Sequence, residues 1–170
     1  MWTTEAIEGL YKQHSYAVFR RCRRLLNNNE GEAQEMVQEV FLHFLENPQR
    51  FERRARVGTY LYAIATNRCL NRIRNRAARD EHWRRSAGEH LLAQQSPAAS
   101  PGKDAEERQL VAQILTETDE DTARIALYHY VDGLSQGEIA RLTQLSRITI
   151  NKRLRRFRKQ AREVIKERAS

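Results

Sequence analysis

The side chains with the most chemistry to offer are cations set at helical spacing near the end of the chain. Arg147 to Arg168 reads RITINKRLRRFRKQAREVIKER. Ile150, Leu154, Phe157, Ala161 and Val164 or Ile165 recur at steps of three and four, which marks one face of a helix. Arg147, Asn151, Lys152, Arg155, Arg156 and Lys159 fall on its flanks and far side. Such a helix docks by its apolar stripe and presents a polyanion with guanidinium and ammonium groups.

The preceding residues say how this helix is presented. In Leu134-Ser135-Gln136-Gly137-Glu138, Ser135 can cap a short helix and Glu138 can reach back to it, a capping box. Ile139, Ala140 and Leu142 form its expected buried side, and Thr143 to Ser146 make a tight turn with Ser146 as the next cap. Two helices joined this way are a helix-turn-helix, whose second helix enters the major groove by its N-terminal end. The candidate duplex-reading residues are Arg147, Ile148, Thr149, Asn151, Lys152, Arg155 and Arg156.

A second candidate set lies in TYLYAIATNRCLNRIRN, a helix expected over 59–75. Leu61, Ala65, Cys69 and Ile73 make its apolar stripe. Tyr60, Asn67, Arg68, Asn71 and Arg72 interleave aromatic, amide and guanidinium groups on the other faces. Single-stranded bases need that mixture: rings to stack on, amides for base edges and arginines for phosphates. A helix with tyrosines in the core and arginines merely solvated would have the same composition.

The elements that must position these residues are helical. The chain has 170 residues, few prolines and glycines, and no long alternating β-branched run, so it reads as all-α, two small helical domains joined by a flexible linker. The first helix is expected over 2–26, with a basic outer face of Arg20, Arg21, Arg23 and Arg24. The second is expected over 32–45, with Met36, Val37, Val40, Phe41, Phe44 and Leu45 as its stripe and Glu32, Gln34, Glu35, Gln38 and Glu39 opposite. That acidic-polar face is either solvated or a docking surface for a basic partner. Residues 49–58 read as a basic loop. Residues 1–85 form the expected first domain, 86–103 the Pro/Ser/Ala/Gly-marked linker and 104–170 the second domain. In the second, helices are expected over 104–116 and 122–131, with Ile125, Ala126, Tyr128 and Tyr130 as core.

Composition limits the functions. The formal net charge of +8 and pI of about 9.9 suit a phosphate-bearing partner. No stretch is apolar enough to span a membrane and no N-terminal run reads as a signal peptide, so a cytoplasmic protein without membrane insertion is expected. Cys22 and Cys69 are in no metal-spaced cluster and are expected to be buried thiols, with no metal bound. No Gly-rich phosphate loop or nucleophile–base pair suggests catalysis, and no cofactor is expected.

In order and spacing, several segments are together similar to one family. Leu10-Tyr11 with His14, the acidic segment Glu32 to Leu42, Tyr60 to Asn67, and Gly133-Leu134-Ser135 through Ile139-Ala140 to Arg153-Leu154 resemble the extracytoplasmic-function (ECF) group of bacterial sigma factors. The resemblance covers about residues 5 to 165. It implies that Glu32, Glu35, Gln38, Glu39, Phe41 and Leu42 bind RNA polymerase core at the β′ clamp helices, with a second contact on the β flap. It implies that helix 59–75 and loop 49–58 melt and hold the minus-ten strand, and that helix 147–168 reads the minus-thirty-five element as duplex. An anti-sigma factor masks these surfaces in many relatives. Against the family pattern, Gln34 weakens the usual acidic pair, Tyr60 replaces Trp, Gln144 replaces the turn glycine, and Ile148 stands where a small residue is usual. An apolar side chain at that last position could touch a thymine methyl. The competing reading is a stand-alone helix-turn-helix regulator that binds duplex operators as a dimer; the first-half helix then has no obvious role, and no second apolar seam suggests a dimer.

Overall fold

The structure, a computed structural model, describes residues 3–47, 57–90 and 103–169. Among these, every regular element is helical: α1 (Thr4–Leu25), α2 (Glu30–Glu46), α3 (Val57–His90), α4 (Lys103–Glu117), α5 (Glu120–Ala126) running into a π-helical turn at Leu127–Val131, α6 (Gln136–Thr143) and α7 (Arg147–Ala169). The chain forms two compact units, Met1–Asn71 and Arg72–Ser170.

In the first unit α1 is started by Thr3, whose side chain accepts from the Ala6 N–H, and α2 by Asn29, which accepts from the Glu32 N–H. Between them Asn27 and Asn28 take left-handed conformations (φ 55° and 59°), a turn that asparagine tolerates better than most residues. The expected stripes meet in one core: Val18, Cys22 and Leu25 of α1, Met36, Val40 and Phe44 of α2, and Leu61, Ala65 and Cys69 of α3 are all buried. Both cysteines are buried free thiols, as expected.

One expectation for this unit fails. Arg21 is not on the outer face of α1 but only 3% exposed. It lies three residues after Val18 and four before Leu25, so helical geometry turns it inward with them. Its Nε donates to Thr66 Oγ1 at 3.2 Å, and its guanidinium lies 4.7 Å from the centre of the Tyr62 ring.

The first compact unit ends at Asn71 and the second begins at Arg72, both within α3. The helix does not stop near residue 75 but continues to His90, so residues 86–90 of the expected linker are helical; residues 91–102 lie outside the described residues. The expected basic loop also lies outside them, except for 57–58, which begin α3. Past Ile73 there is no apolar stripe, but Ala77, Ala78 and the Glu81–Arg85 pair at 3.0 Å all favour helix. Within the second unit, Arg74 caps the open end of α4, its Nε donating to Leu115 O at 3.0 Å and its Nη2 to Thr118 O.

The core of the second unit is Ile114 and Leu115, Ala123, Ile125, Ala126 and Tyr128, Ile139, and Ile150, Leu154 and Val164. Val164, not Ile165, completes the α7 stripe, and Ile165 is 49% exposed. Ala140 and Leu142 are half-buried, leaving Ile139 as the buried anchor of α6. Tyr130, expected in the core, is 52% exposed. The wide turn at 127–131 explains this: its i→i+5 bond, Asp132 N–H to Leu127 O at 3.2 Å, shifts the helical register and carries Tyr130 out to pack on Phe157, ring centres 5.8 Å apart.

Candidate nucleic-acid interface

The helix-turn-helix is built as its residues dictate. Ser135 Oγ accepts from the Glu138 N–H at 3.3 Å, while Glu138 Oε2 accepts from the Ser135 N–H at 2.8 Å and its hydroxyl at 2.7 Å. Those hydrogen bonds from Ser135 hold the Glu138 carboxyl below its ordinary pKa. His129 Nδ1 lies 2.9 Å from Leu134 O, so it is the protonated nitrogen and donates to that carbonyl, bracing the entry to α6. At the far end Gln144 closes α6 in the left-handed conformation (φ 57°), the strained position expected from the missing glycine. Ser146 then starts α7, its Oγ accepting from the Thr149 N–H at 3.1 Å.

The seven candidate duplex-reading residues divide by surroundings. Ile148 is 82% exposed at the second position of α7. With Arg147, Asn151, Lys152, Arg155 and Gln136 it lines an open cleft of about 410 Å³. Among the described residues neither Lys152 nor Arg155 has an acidic partner. Arg147 lies across α6, and a Cβ added to Gly137 would come within 2.5 Å of its Nη2, so glycine makes room for this guanidinium. Thr149 is half-buried, its hydroxyl 2.9 Å from Ser146 Oγ, which ties it to the helix start. Arg156 is engaged by an acidic residue outside the expected site: its Nη1 is 3.4 Å from Asp119 Oδ2.

Asp119 gathers more than one charge. It caps α5 by accepting from the Thr122 N–H at 3.0 Å, and it pairs with Arg153 at 3.3 Å. Arg153 also reaches Asp121 at 3.1 Å. Burial pushes the Asp119 carboxyl up, but the bonds from Thr122 and the charges of Arg156 and Arg153 outweigh it and hold it below the usual range. Gln136, first in α6, was also absent from the expected set; it is brought beside α7 by the turn, not by sequence adjacency.

In the first unit the candidate strand-holding residues are less open. Tyr60 is half-buried and packs edge-on against Phe44, ring centres 6.1 Å apart. Arg68 Nη1 is 3.5 Å from Glu39 and its Nη2 is 3.1 Å from His43 Nδ1. Asn67 and Arg72 are half-buried, and Asn71 is exposed. Of the candidate docking residues on α2, Glu35, Gln38 and Leu42 are exposed, Leu42 at 57%. Glu32 and Glu39 are half-buried. Phe41 belongs beneath that face: it is 6% exposed and packs on Tyr11 with ring centres 4.9 Å apart. Among the described residues no group of His, Cys, Asp and Glu could hold a metal, and no helix is long and apolar enough to cross a membrane.

Comparison with known proteins meets these two sets of residues. Sigma-70 region 2 matches residues 10–79, and Sigma-70, region 4 matches residues 108–160. The ECF RNA polymerase sigma factor SigW of Bacillus subtilis (strain 168) is 27% identical over 168 residues, covering 95% of this chain and 88% of that protein. Among solved structures, the co-crystal structure of the sigma factor RpoE in complex with the anti-sigma factor NepR from Bartonella quintana aligns with 94% of this chain and 96% of that one, at 18% identity and a TM-score of 0.47. The chain belongs to the sigma-70 family, in its extracytoplasmic-function group. It is a sigma factor that directs RNA polymerase to promoters.

Proposed function

We propose that the three residue sets divide the work of initiation. α2 docks on the β′ clamp helices of polymerase core through Glu32, Glu35, Gln38, Glu39 and Leu42, with Phe41 supporting them from below, and the second unit rests on the β flap. Tyr60, Asn67, Arg68, Asn71 and Arg72 of α3 open the minus-ten element and hold its separated strand. α7 reads the minus-thirty-five element as duplex through Arg147, Ile148, Asn151, Lys152 and Arg155. The protein works in the cytoplasm as a regulatory subunit without chemistry of its own, and an anti-sigma factor that covers α2 or α7 would silence it.

The observation that carries this reading is the cleft at the start of α7, where cationic, amide and apolar groups stand open at the end of the helix that a helix-turn-helix inserts in the groove. Lys152→Ala and Arg155→Ala test it in transcription by the reconstituted holoenzyme. A base-reading side chain is worth about 1–3 kcal/mol and relaxes the preference at one position, whereas a phosphate contact weakens binding to all sequences alike. Output that is unchanged in both variants would remove α7 from the interface.

A further inference from the structure

Ile148 has no structural reason to be where it is. At 82% exposed, it is the most open of the large apolar side chains described, and it lies outside the α7 stripe that Ile150, Leu154 and Val164 bury. A single exposed apolar residue is ordinary on a protein surface. This one stands at the second position of a recognition helix, and the side chains that share its cleft are suited to base edges. Asn151 follows it by three residues and lies on the same helix face. Gln136, from the start of α6, lines the cleft from the other helix.

The chemistry of this group selects among base pairs. In the major groove only thymine presents a methyl, while guanine and cytosine present hydrogen-bonding groups at the same depth. An isoleucine pressed on those polar edges would desolvate them without a partner, which disfavours a G·C pair. A carboxamide offers one donor and one acceptor, the pattern that adenine N6 and N7 require. Guanine is better met by a guanidinium or an ammonium, and in this cleft those belong to Arg147, Lys152 and Arg155.

We propose that Ile148 is a specificity-determining residue that reads the C5-methyl of a thymine in the upstream promoter element, with Asn151 or Gln136 reading an adenine edge beside it. The inference rests on α7 being the duplex-reading helix and deepens that reading by naming the base pair it selects.

The experiment uses holoenzyme assembled from the full chain and polymerase core, with promoter templates randomised across the upstream element. Wild type enriches thymine at one position. Ile148→Ala loses that enrichment and keeps the rest of the element, and Ile148→Val retains part of it. Replacing that thymine by deoxyuridine, which lacks only the methyl, then weakens wild-type binding about fourfold, the value of one buried carbon. The same replacement leaves Ile148→Ala unchanged. Because Ile148 is exposed, thermal melts of the variants match wild type, which separates readout from folding. Equal wild-type binding to thymine and deoxyuridine templates, or thymine enrichment that persists in Ile148→Ala, overturns the proposal. If no upstream position is enriched by wild type, it is the assignment of α7 as the duplex reader that fails.

Discussion

The two units both carry arginine-rich helices, but they keep their arginines differently. On α7, Lys152 and Arg155 extend into an open cleft without acidic partners among the described residues. On α3, Arg68 is bound to Glu39 and His43, and in the same unit Arg21 is buried under Tyr62 and Thr66. A surface whose cations are already free suits a ligand that arrives with fixed geometry, as duplex DNA does. A surface whose cations must exchange partners suits a ligand that forms only after polymerase has docked, as a separated strand does. The Arg68–Glu39 pair makes this exchange easy. Both side chains are more than one third exposed, at 38% and 37%, and a surface pair of that kind is worth roughly 0–1 kcal/mol. Glu39 also belongs to the face assigned to polymerase, so docking there would draw on the carboxylate that holds Arg68.

The largest change to this contrast comes from removing the platform under the free cations. Leu154 is 2% exposed, and Leu154→Ala should destabilise the second unit by about 2–5 kcal/mol, read as a lower denaturant midpoint. Upstream-element recognition should fall with it, while binding to polymerase core through α2 persists. Loss of core binding together with recognition would show that the two surfaces do not work separately.

A smaller effect is set by pH. The Asp119 and Glu138 carboxyls, both in the second unit, are held below their reference values of 3.8 and 4.5. A depressed folded-state pKa contributes stability that is present above the unfolded value and is lost as pH falls through the folded one. The second unit should therefore be insensitive to these groups down to about pH 5 and weaken below about pH 4. Asp119→Asn keeps the α5 cap, since asparagine caps as well as aspartate, and removes the titrating charge. Urea midpoints measured against pH should show a shallower acid decline in Asp119→Asn than in wild type. An identical decline would mean that Asp119 contributes nothing through its charge.

Patterns contiguous in sequence were legible before the structure. The Ser135–Glu138 box, the α7 stripe and the acidic side of α2 are each written within a few turns of chain, where helical spacing alone decides what faces what. Relations across the fold were not. Gln136 reaches the cleft only because the turn folds α6 against α7, and Asp119 meets Arg156, which lies 37 positions further along the chain. Arg21 reads as solvated because its charge hides its place in the stripe. Tyr130 reads as core because a π turn leaves no signature in hydrophobic spacing. The continuation of α3 to His90 rests on local helix preference, which a reading based on apolar period does not register.

The most direct test of this account is whether the purified chain forms a stable complex with bacterial RNA polymerase core, followed by co-elution on gel filtration. Wild type should co-elute, and charge reversal at Glu35 and Glu39 should abolish the complex while the free chain stays folded, its melting point lowered only modestly by the loss of the surface Arg68–Glu39 pair. Co-elution that survives both reversals would contradict the placement of the docking face on α2. Failure of wild type to associate with a competent core would contradict the role of the chain as a sigma factor.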